Sequence, residues 1–336
     1  IMKKYRFGVI GTNFVTDYVI NASRQESRFM LSAVCSRTQQ RADEFAAKYD
    51  IPHTFTSIED MAASPDVDCV YIATPTALHA QQAMTCMSHG KHVLCEKPMA
   101  SNAREAREMI EVAKQNDVLL MEAMIATLNP NFAVVRQTLP KIGAVRRYFA
   151  SYCQYSSRYD KLKQGIIANA FRPELSNGAV MDIGIYTIYP MIVLFGKPLA
   201  VSAIGQKFFT GVDSQGAVNF KYDGMSATVM YSKIVDSFLP TEIEGENGVI
   251  VVDQIHVPRQ VTLMPPKRLM KTGAVKADIS APLDRNEYYY ELREFIDLLE
   301  QGSRESSVNS HANTIATLEV IDEIRRQTGV EFPSDK

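Results

Sequence analysis

The chain has 336 residues, which at roughly 150 per domain is enough for two domains with full hydrophobic cores. It is 46% hydrophobic and 22% charged, and 36 Lys and Arg face 38 Asp and Glu for a formal charge of −2, so nothing marks it as a dedicated nucleic-acid or anionic-membrane binder. No apolar run approaches the roughly 20 residues of a membrane helix, and the first residues lack a signal-peptide apolar segment.

Ile1 reads as an extra residue ahead of an initiating Met2. Five cysteines (Cys35, Cys69, Cys86, Cys95, Cys153) form an odd set without a CxxC or a Cys/His spacing suited to zinc, and the six histidines are scattered. We therefore expect reduced thiols, no metal site and a cytoplasmic location.

From the N-terminus to residue 122, strand and helix signals alternate. Tyr5 to Ile10 is a β run ending in a turn at Gly11, followed by a helical stretch from about Thr16 to Ala22. Phe29 to Cys35 is a second strand, and Ala42, Phe45, Ala46 and Tyr49 mark one apolar helix face. His53 to Phe55 is a short strand, and Ser57-Ile-Glu-Asp60 opens a brief helix. Val67 to Ala73 is almost continuously apolar, as a central parallel strand covered on both faces must be. A helix from about Leu78 to His89 ends at Gly90, and His92 to Cys95 is cut off by Glu96-Lys97-Pro98. A helix over about Asn102 to Gln115 and a strand from Val118 to Glu122 complete a six-stranded, doubly wound parallel sheet.

The pattern changes after Asn129-Pro130. Arg147 to Tyr155, Val201 to Phe209, Ala217 to Tyr222, Met225 to Val235, Val249 to Val252 and Gln260 to Met264 are strand-like, with turn residues between them. Helices are expected near Ala179 to Phe195, Glu287 to Gln301 and Ala312 to Gln327. Residues 123–336 thus read as an α+β domain with a mostly antiparallel, open sheet. Its strands alternate imperfectly, which suggests one face under helices and the other under a second subunit.

Four motifs carry chemistry. Gly8-Val-Ile-Gly11-Thr12-Asn13-Phe14-Val-Thr16 sits on a strand–turn–helix, where a dinucleotide fingerprint would have glycines at 11, 13 and 16. Only Gly11 matches, and the Asn13 side chain must turn away from the phosphates or bond to them. At the end of the second strand, Ser36-Arg37 stands where an NAD site carries an acid for the ribose 2′-OH. A hydroxyl and a guanidinium there suit a 2′-phosphate instead, so NADP is expected, with NAD the alternative. Glu96-Lys97-Pro98 follows the fifth strand, where ligands of open α/β sheets bind, and its Lys97–Pro98 bond is a candidate cis peptide. In Gly178-Ala-Val-Met-Asp182-Ile-Gly184-Ile-Tyr186, Asp182 and Tyr186 are four apart, and a helix puts both on one face.

Together, VIGTNF after the first strand, ATPTALH at 73–79, GKHVLCEKPMA at 90–100 and NGAVMDIGIY at 177–186 resemble the Gfo/Idh/MocA oxidoreductase family. The resemblance spans nearly the whole chain and is nearest the dihydrodiol dehydrogenase and glucose-fructose oxidoreductase branches, which carry Tyr where the inositol dehydrogenase branch has His. It implies an N-terminal Rossmann domain and a C-terminal domain whose open sheet mediates a homodimer or homotetramer. By correspondence, Lys97, Asp182 and Tyr186 line the site beside the nicotinamide. Thr74, Pro75, His79 and Glu96 fall at the nicotinamide ribose, and Arg172 falls where some relatives reach cofactor or substrate. Asn13, Thr16 and the stretch Met124-Ile-Ala-Thr-Leu depart from the family pattern.

The implied activity is hydride transfer between nicotinamide and a secondary alcohol of a sugar, polyol, inositol or cyclic diol. Tyr186 is then the proton donor or acceptor, Lys97 its electrostatic partner and Asp182 the orienting group, with the Lys97 and Tyr186 roles open to reversal. An NAD-dependent glycosidase of this fold and a non-catalytic NADP-sensing regulator are the other readings.

Overall fold

The computed structural model describes residues 3–336; Ile1 and Met2, and with them the reading of Ile1 as an extra residue, lie outside the described residues. The chain divides into two compact units, one running to Met124 and including Arg285–Ile315, the other made of Ile125–Asp284 and Ala316–Lys336.

The first unit is built on β1 (Tyr5–Ile10), β2 (Phe29–Cys35), β3 (His53–Phe55), β4 (Cys69–Ile72), β5 (His92–Glu96) and β6 (Leu120–Ala123). They form one parallel sheet in the order β3-β2-β1-β4-β5-β6. Five helices make the crossovers: α1 (Phe14–Ser23), α2 (Gln39–Tyr49), α3 (Ile58–Ala63), α4 (His79–Ser88) and α5 (Ala103–Gln115). All four residues of β4 are buried, which explains its unbroken apolar run. α5 shows why the crossovers are helical: Ala103, Ala106, Met109, Ile110 and Ala113 form one buried stripe, and Asn102 Oδ1 accepts the Glu105 N–H at 3.0 Å as the cap. The strand order reverses between β1 and β4, so the crevice beyond their C-terminal ends is the ligand-binding position of such sheets.

Residues 285–315 were expected in the second domain and belong instead to the first unit. The helix Tyr289–Glu300 has an apolar stripe of Leu292, Phe295 and Ile296, and the Phe295 ring lies 5.9 Å from that of Phe7 on β1. Arg28 Nη1 donates to Asp297 and Glu300, each at 2.8 Å. Sequence order alone could not reveal this return, because an amphipathic helix does not say which sheet it will cover.

The second unit holds an eight-stranded sheet of β7 (Val145–Cys153), β8 (Ala200–Lys207), β9 (Asp213–Lys221), β10 (Ser226–Ser232), β11 (Thr241–Gly245), β12 (Gly248–Val252), β13 (Val261–Met264) and β14 (Ala277–Asp278). Its order is β14-β13-β12-β11-β7-β10-β9-β8, antiparallel throughout except for the β7–β10 pair. β11 and β14 escaped the sequence reading: β11 is diluted by Glu242, Glu244 and Gly245, and β14 has only two residues.

Alternation in the sheet is cleaner than expected. On β10, Ala227, Val229 and Tyr231 are buried while Ser226 and Met230 face out, and on β8 Ile204 is 79% exposed. The helical stretch Pro173–Phe195 is long and apolar enough to cross a membrane by length and composition, contrary to the expectation of no such run, and it is mostly buried inside the fold. All five cysteines are free thiols, four of them buried.

Candidate active site

At the first βα turn, Gly11 has φ +100°, and a Cβ there would come within 2.6 Å of the Ala73 carbonyl oxygen, so only glycine fits. Asn13 does not use the left-handed region: its φ is −102° and it caps α1, with Oδ1 accepting the Val15 and Thr16 N–H groups at 2.9 and 3.3 Å. Its Nδ2 donates to the Ala73 carbonyl, so the side chain folds inward, the first of the two options the sequence left open. Thr16, in place of the third glycine, is buried with its hydroxyl donating to the Gly11 carbonyl at 2.9 Å. The two departures from the fingerprint therefore brace the turn. Thr12 is half-buried and Phe14 is 52% exposed at the start of α1. Ser36, half-buried, and Arg37, exposed, lie just beyond β2, the strand next to β1.

Beyond β4 and β5 the expected ribose residues divide. Thr74 and Pro75 are half-buried, and the Thr74 hydroxyl donates to Gln82 Oε1 at 2.6 Å. His79 is 1% exposed, with Nε2 2.7 Å from the Thr74 carbonyl and Nδ1 2.9 Å from that of Pro98, so in this structure it braces the site. Burial lowers its pKa, and the ring ties the loop after β4 to the loop after β5. Glu96 accepts the Tyr71 hydroxyl at 2.6 Å and the Lys97 N–H at 3.2 Å. Lys97 is half-buried and the Lys97–Pro98 peptide is cis, as the sequence had suggested.

A residue the sequence reading missed holds this turn. Glu122 on β6 is 1% exposed and accepts the Met99 N–H at 2.9 Å and the Thr314 hydroxyl at 2.6 Å. Burial pushes its carboxyl up to about 7 against the pull of both donors.

In the second unit, the DxGxY segment is a π-helical turn, Val180–Gly184, running into the helix Ile185–Phe195. Such turns recur at functional sites because the extra residue re-aims a side chain. Asp213 anchors its start: Oδ1 accepts the Ala179 N–H at 2.9 Å and Oδ2 that of Val180 at 2.7 Å. Burial pushes Asp213 up to about 6. Gly178, at φ +142°, makes room for this carboxylate, since a Cβ there would lie 2.2 Å from Oδ1.

From Gly178 to Ile192 every residue is buried except Asp182 and Tyr186. The apolar helix thus opens at the two polar groups that the spacing had put on one face. Asp182 Oδ2 is bound by the ammonium of Lys233, which is 3% exposed and sits 5.8 Å from the Phe171 ring centroid. Tyr186 stands edge-on to Tyr152 and His256, at 5.8 and 6.2 Å, and those two rings stack at 4.0 Å and 2°. Arg172 is exposed, with Nη2 donating to the Ile167 carbonyl at 3.3 Å. Lys233, Tyr152, His256 and Asp213 were not anticipated, because each is an isolated residue on a strand or loop with no local motif to mark it. Among the described residues no three His, Cys, Asp or Glu side chains group as a metal site.

A switch-point parallel sheet with a nucleotide-type turn, joined in one chain to an antiparallel sheet bearing the DxGxY helix, defines a two-domain oxidoreductase of Rossmann type. Residues 5–124 match the oxidoreductase family model with the NAD-binding Rossmann fold, and residues 139–251 match the GFO/IDH/MocA C-terminal domain. The chain belongs to the Gfo/Idh/MocA oxidoreductase family. It is 48% identical to scyllo-inositol 2-dehydrogenase (NADP(+)) of Bacillus subtilis (strain 168), over 98% of this chain and 99% of that one. It is 29% identical to trans-1,2-dihydrobenzene-1,2-diol dehydrogenase of Mus musculus, over 98% and 97% of the two chains. Levoglucosan dehydrogenase, solved with NADH and levoglucosan, shares the fold at a TM-score of 0.84 and 19% identity, over 97% of this chain and 98% of that one. The dihydrodiol dehydrogenases that Tyr186 had brought to the fore are thus relatives, and the scyllo-inositol enzyme is the more similar of the two named.

Proposed function

We propose that this protein is an NADP-dependent dehydrogenase that oxidises a secondary hydroxyl of a cyclic polyol or cyclic diol, or reduces the corresponding ketone. The observation that carries the reading is that Asp182 and Tyr186 alone are not buried in the stretch 178–192, in a chain whose relatives are named for scyllo-inositol and for a trans-1,2-diol. NADP fits the residues present: Gly11 makes the tight turn that Thr12, Asn13 and Phe14 continue, α1 offers its N-terminus to the pyrophosphate, and Ser36 with Arg37 suits a 2′-phosphate.

When bound, the nicotinamide accepts or returns the hydride. The chain's own groups manage the proton and the orientation. Tyr186 takes the hydroxyl proton as the alcohol is oxidised and gives it back in reduction, while the Lys97 ammonium favours negative charge on the same oxygen; in the reverse assignment Lys97 carries the proton and the Tyr186 hydroxyl is the hydrogen-bonding partner. Asp182 orients the substrate through its hydroxyl groups. Arg172 is assigned to the substrate side. Thr74, Pro75 and Glu96 belong to the nicotinamide ribose, where His79 acts by bracing their loops.

The assembly we propose is a homodimer or homotetramer through the outer face of the eight-stranded sheet, supported by the exposure of Ile204 and Met230 on it. A cytoplasmic location, without membrane or nucleic-acid partners, is supported by the five free thiols and the balanced charge.

Titration with NADPH and with NADH, followed by nicotinamide fluorescence, tests the cofactor. NADPH is expected to bind at least about tenfold more tightly, and equal affinities would reopen NAD. NADPH formation from NADP⁺ and scyllo-inositol tests the reaction. Glycosidase activity without net NADPH change, or nucleotide binding without any turnover on a polyol panel, would replace it with one of the other two readings.

A further inference from the structure

Lys233 is the unexpected group in the second unit. It directly follows β10, and the Lys233 N–H donates to the Ser214 carbonyl at 2.9 Å while its own carbonyl accepts the Ser156 N–H at 2.8 Å. Its ammonium is buried, lies over the Phe171 ring and binds one oxygen of Asp182. A lysine is almost never buried unpaired, since removing an ammonium from water is costly until a counter-charge meets it. Lys233 is also held in place by its backbone hydrogen bonds, so it fixes the position of the Asp182 oxygen that it binds. The other end of the segment is fixed as well, by Asp213 on the Ala179 and Val180 N–H groups. Asp182 is therefore held both at its backbone and at one carboxylate oxygen, while Tyr186 stands one helical turn further on. Side chains so spaced have Cβ atoms about 5–6 Å apart and can converge on two neighbouring oxygens of one ligand.

Resting on the function proposed above, we infer that Lys233 is a positioning residue for substrate selection. It aims Asp182 to accept a hydrogen bond from the hydroxyl adjacent to the one served by Tyr186, so the recognised unit is a vicinal diol rather than a lone secondary alcohol. A site built to pair a hydroxyl rejects an analogue without it far more strongly than an apolar wall rejects a change of size.

The test compares NADP⁺-dependent oxidation of trans-1,2-cyclohexanediol and cyclohexanol by wild type, K233M, D182N and the double variant D182N/K233M. Wild type is expected to favour the diol in kcat/KM by about a hundredfold or more. K233M should lower that preference at least about tenfold, acting on the diol and leaving cyclohexanol within about threefold. D182N and the double variant should lower the diol preference to the same extent, because the two residues act as one unit. NADPH affinity, read by fluorescence, should be unchanged in all three.

If K233M does not accumulate as folded protein, the double variant, which removes both charges together, is compared with D182N: equal kcat/KM of the two on both alcohols supports a Lys233 that acts only through Asp182, and a further loss in the double variant overturns it. Equal losses on both alcohols, or an intact diol preference in the variants, overturn the role of Lys233 while leaving the dehydrogenase reading standing. A wild-type enzyme that oxidises scyllo-inositol but shows no diol preference overturns it too. A wild-type enzyme inactive on every alcohol, scyllo-inositol included, overturns the function and this inference with it.

Discussion

The Met99 N–H donates to Oε1 of Glu122 at 2.9 Å, so the turn that carries Lys97 is pinned from the next strand by a buried carboxyl. The Thr314 hydroxyl completes the clamp on the other oxygen, and Asn309 Nδ2 donates to the Glu122 carbonyl at 3.1 Å. Glu96 and Lys97 are the charged neighbours, the first raising and the second lowering the carboxyl's pKa.

This clamp sets a pH dependence with a definite sign. Glu122 titrates near 4.5 when unfolded and is pushed up to about 7 when folded, so the folded state binds the extra proton between those values. Stability therefore falls as pH rises through that window, by about 3 kcal/mol. Urea unfolding of wild type and Glu122→Gln from pH 4.5 to 7.5 should show the wild type losing stability relative to the variant by about that amount. A constant difference across the window would mean that Glu122 is ionised throughout.

The proposed preference for NADP is ascribed to Arg37. Arg37→Ala should weaken NADPH binding about ten- to a hundredfold, corresponding to about 1.5–3 kcal/mol for a hydrogen bond to a charged group, and leave NADH unchanged. Equal weakening of both nucleotides would place the effect on the turn rather than on the 2′-phosphate.

Proton transfer is assigned to the Tyr186 and Lys97 pair. Tyr186→Phe and Lys97→Met should each lower kcat/KM on scyllo-inositol by about a hundredfold or more. If both variants stayed within a few-fold of wild type, the mechanism would be wrong. A much larger loss in Lys97→Met than in Tyr186→Phe would favour the reversed roles.

Gly178→Ala probes the anchoring of the DxGxY turn. The position needs φ +142° and leaves no room for a Cβ beside Asp213, so the variant should be destabilised by about 3 kcal/mol. Thermal unfolding measures this, and a shift of under a degree would show that the Asp213 carboxylate moves aside at no cost.

Much of this molecule is legible in its amino-acid sequence. The period of apolar residues and the placement of Gly, Pro and Asn gave six parallel strands, three of them with correct ends (β1, β2 and β3), because local backbone preference and burial pattern agree in a sheet covered on both faces. Gly11 and Arg37 are singled out by the spacing of the first βα unit, whereas the roles proposed for Lys97, Asp182 and Tyr186 come from the resemblance of their short motifs to the family. Tertiary structure alone decided the rest. The return of residues 285–315 to the first unit, the pairing of Lys233 with Asp182, the clamp of Glu122 on Met99 and the burial of His79 all join residues far apart in the chain or facing into its interior. A buried charge is defined by what surrounds it in space, and its partners lie 51 residues away for Lys233 and 192 for Glu122 with Thr314, beyond the reach of any local pattern.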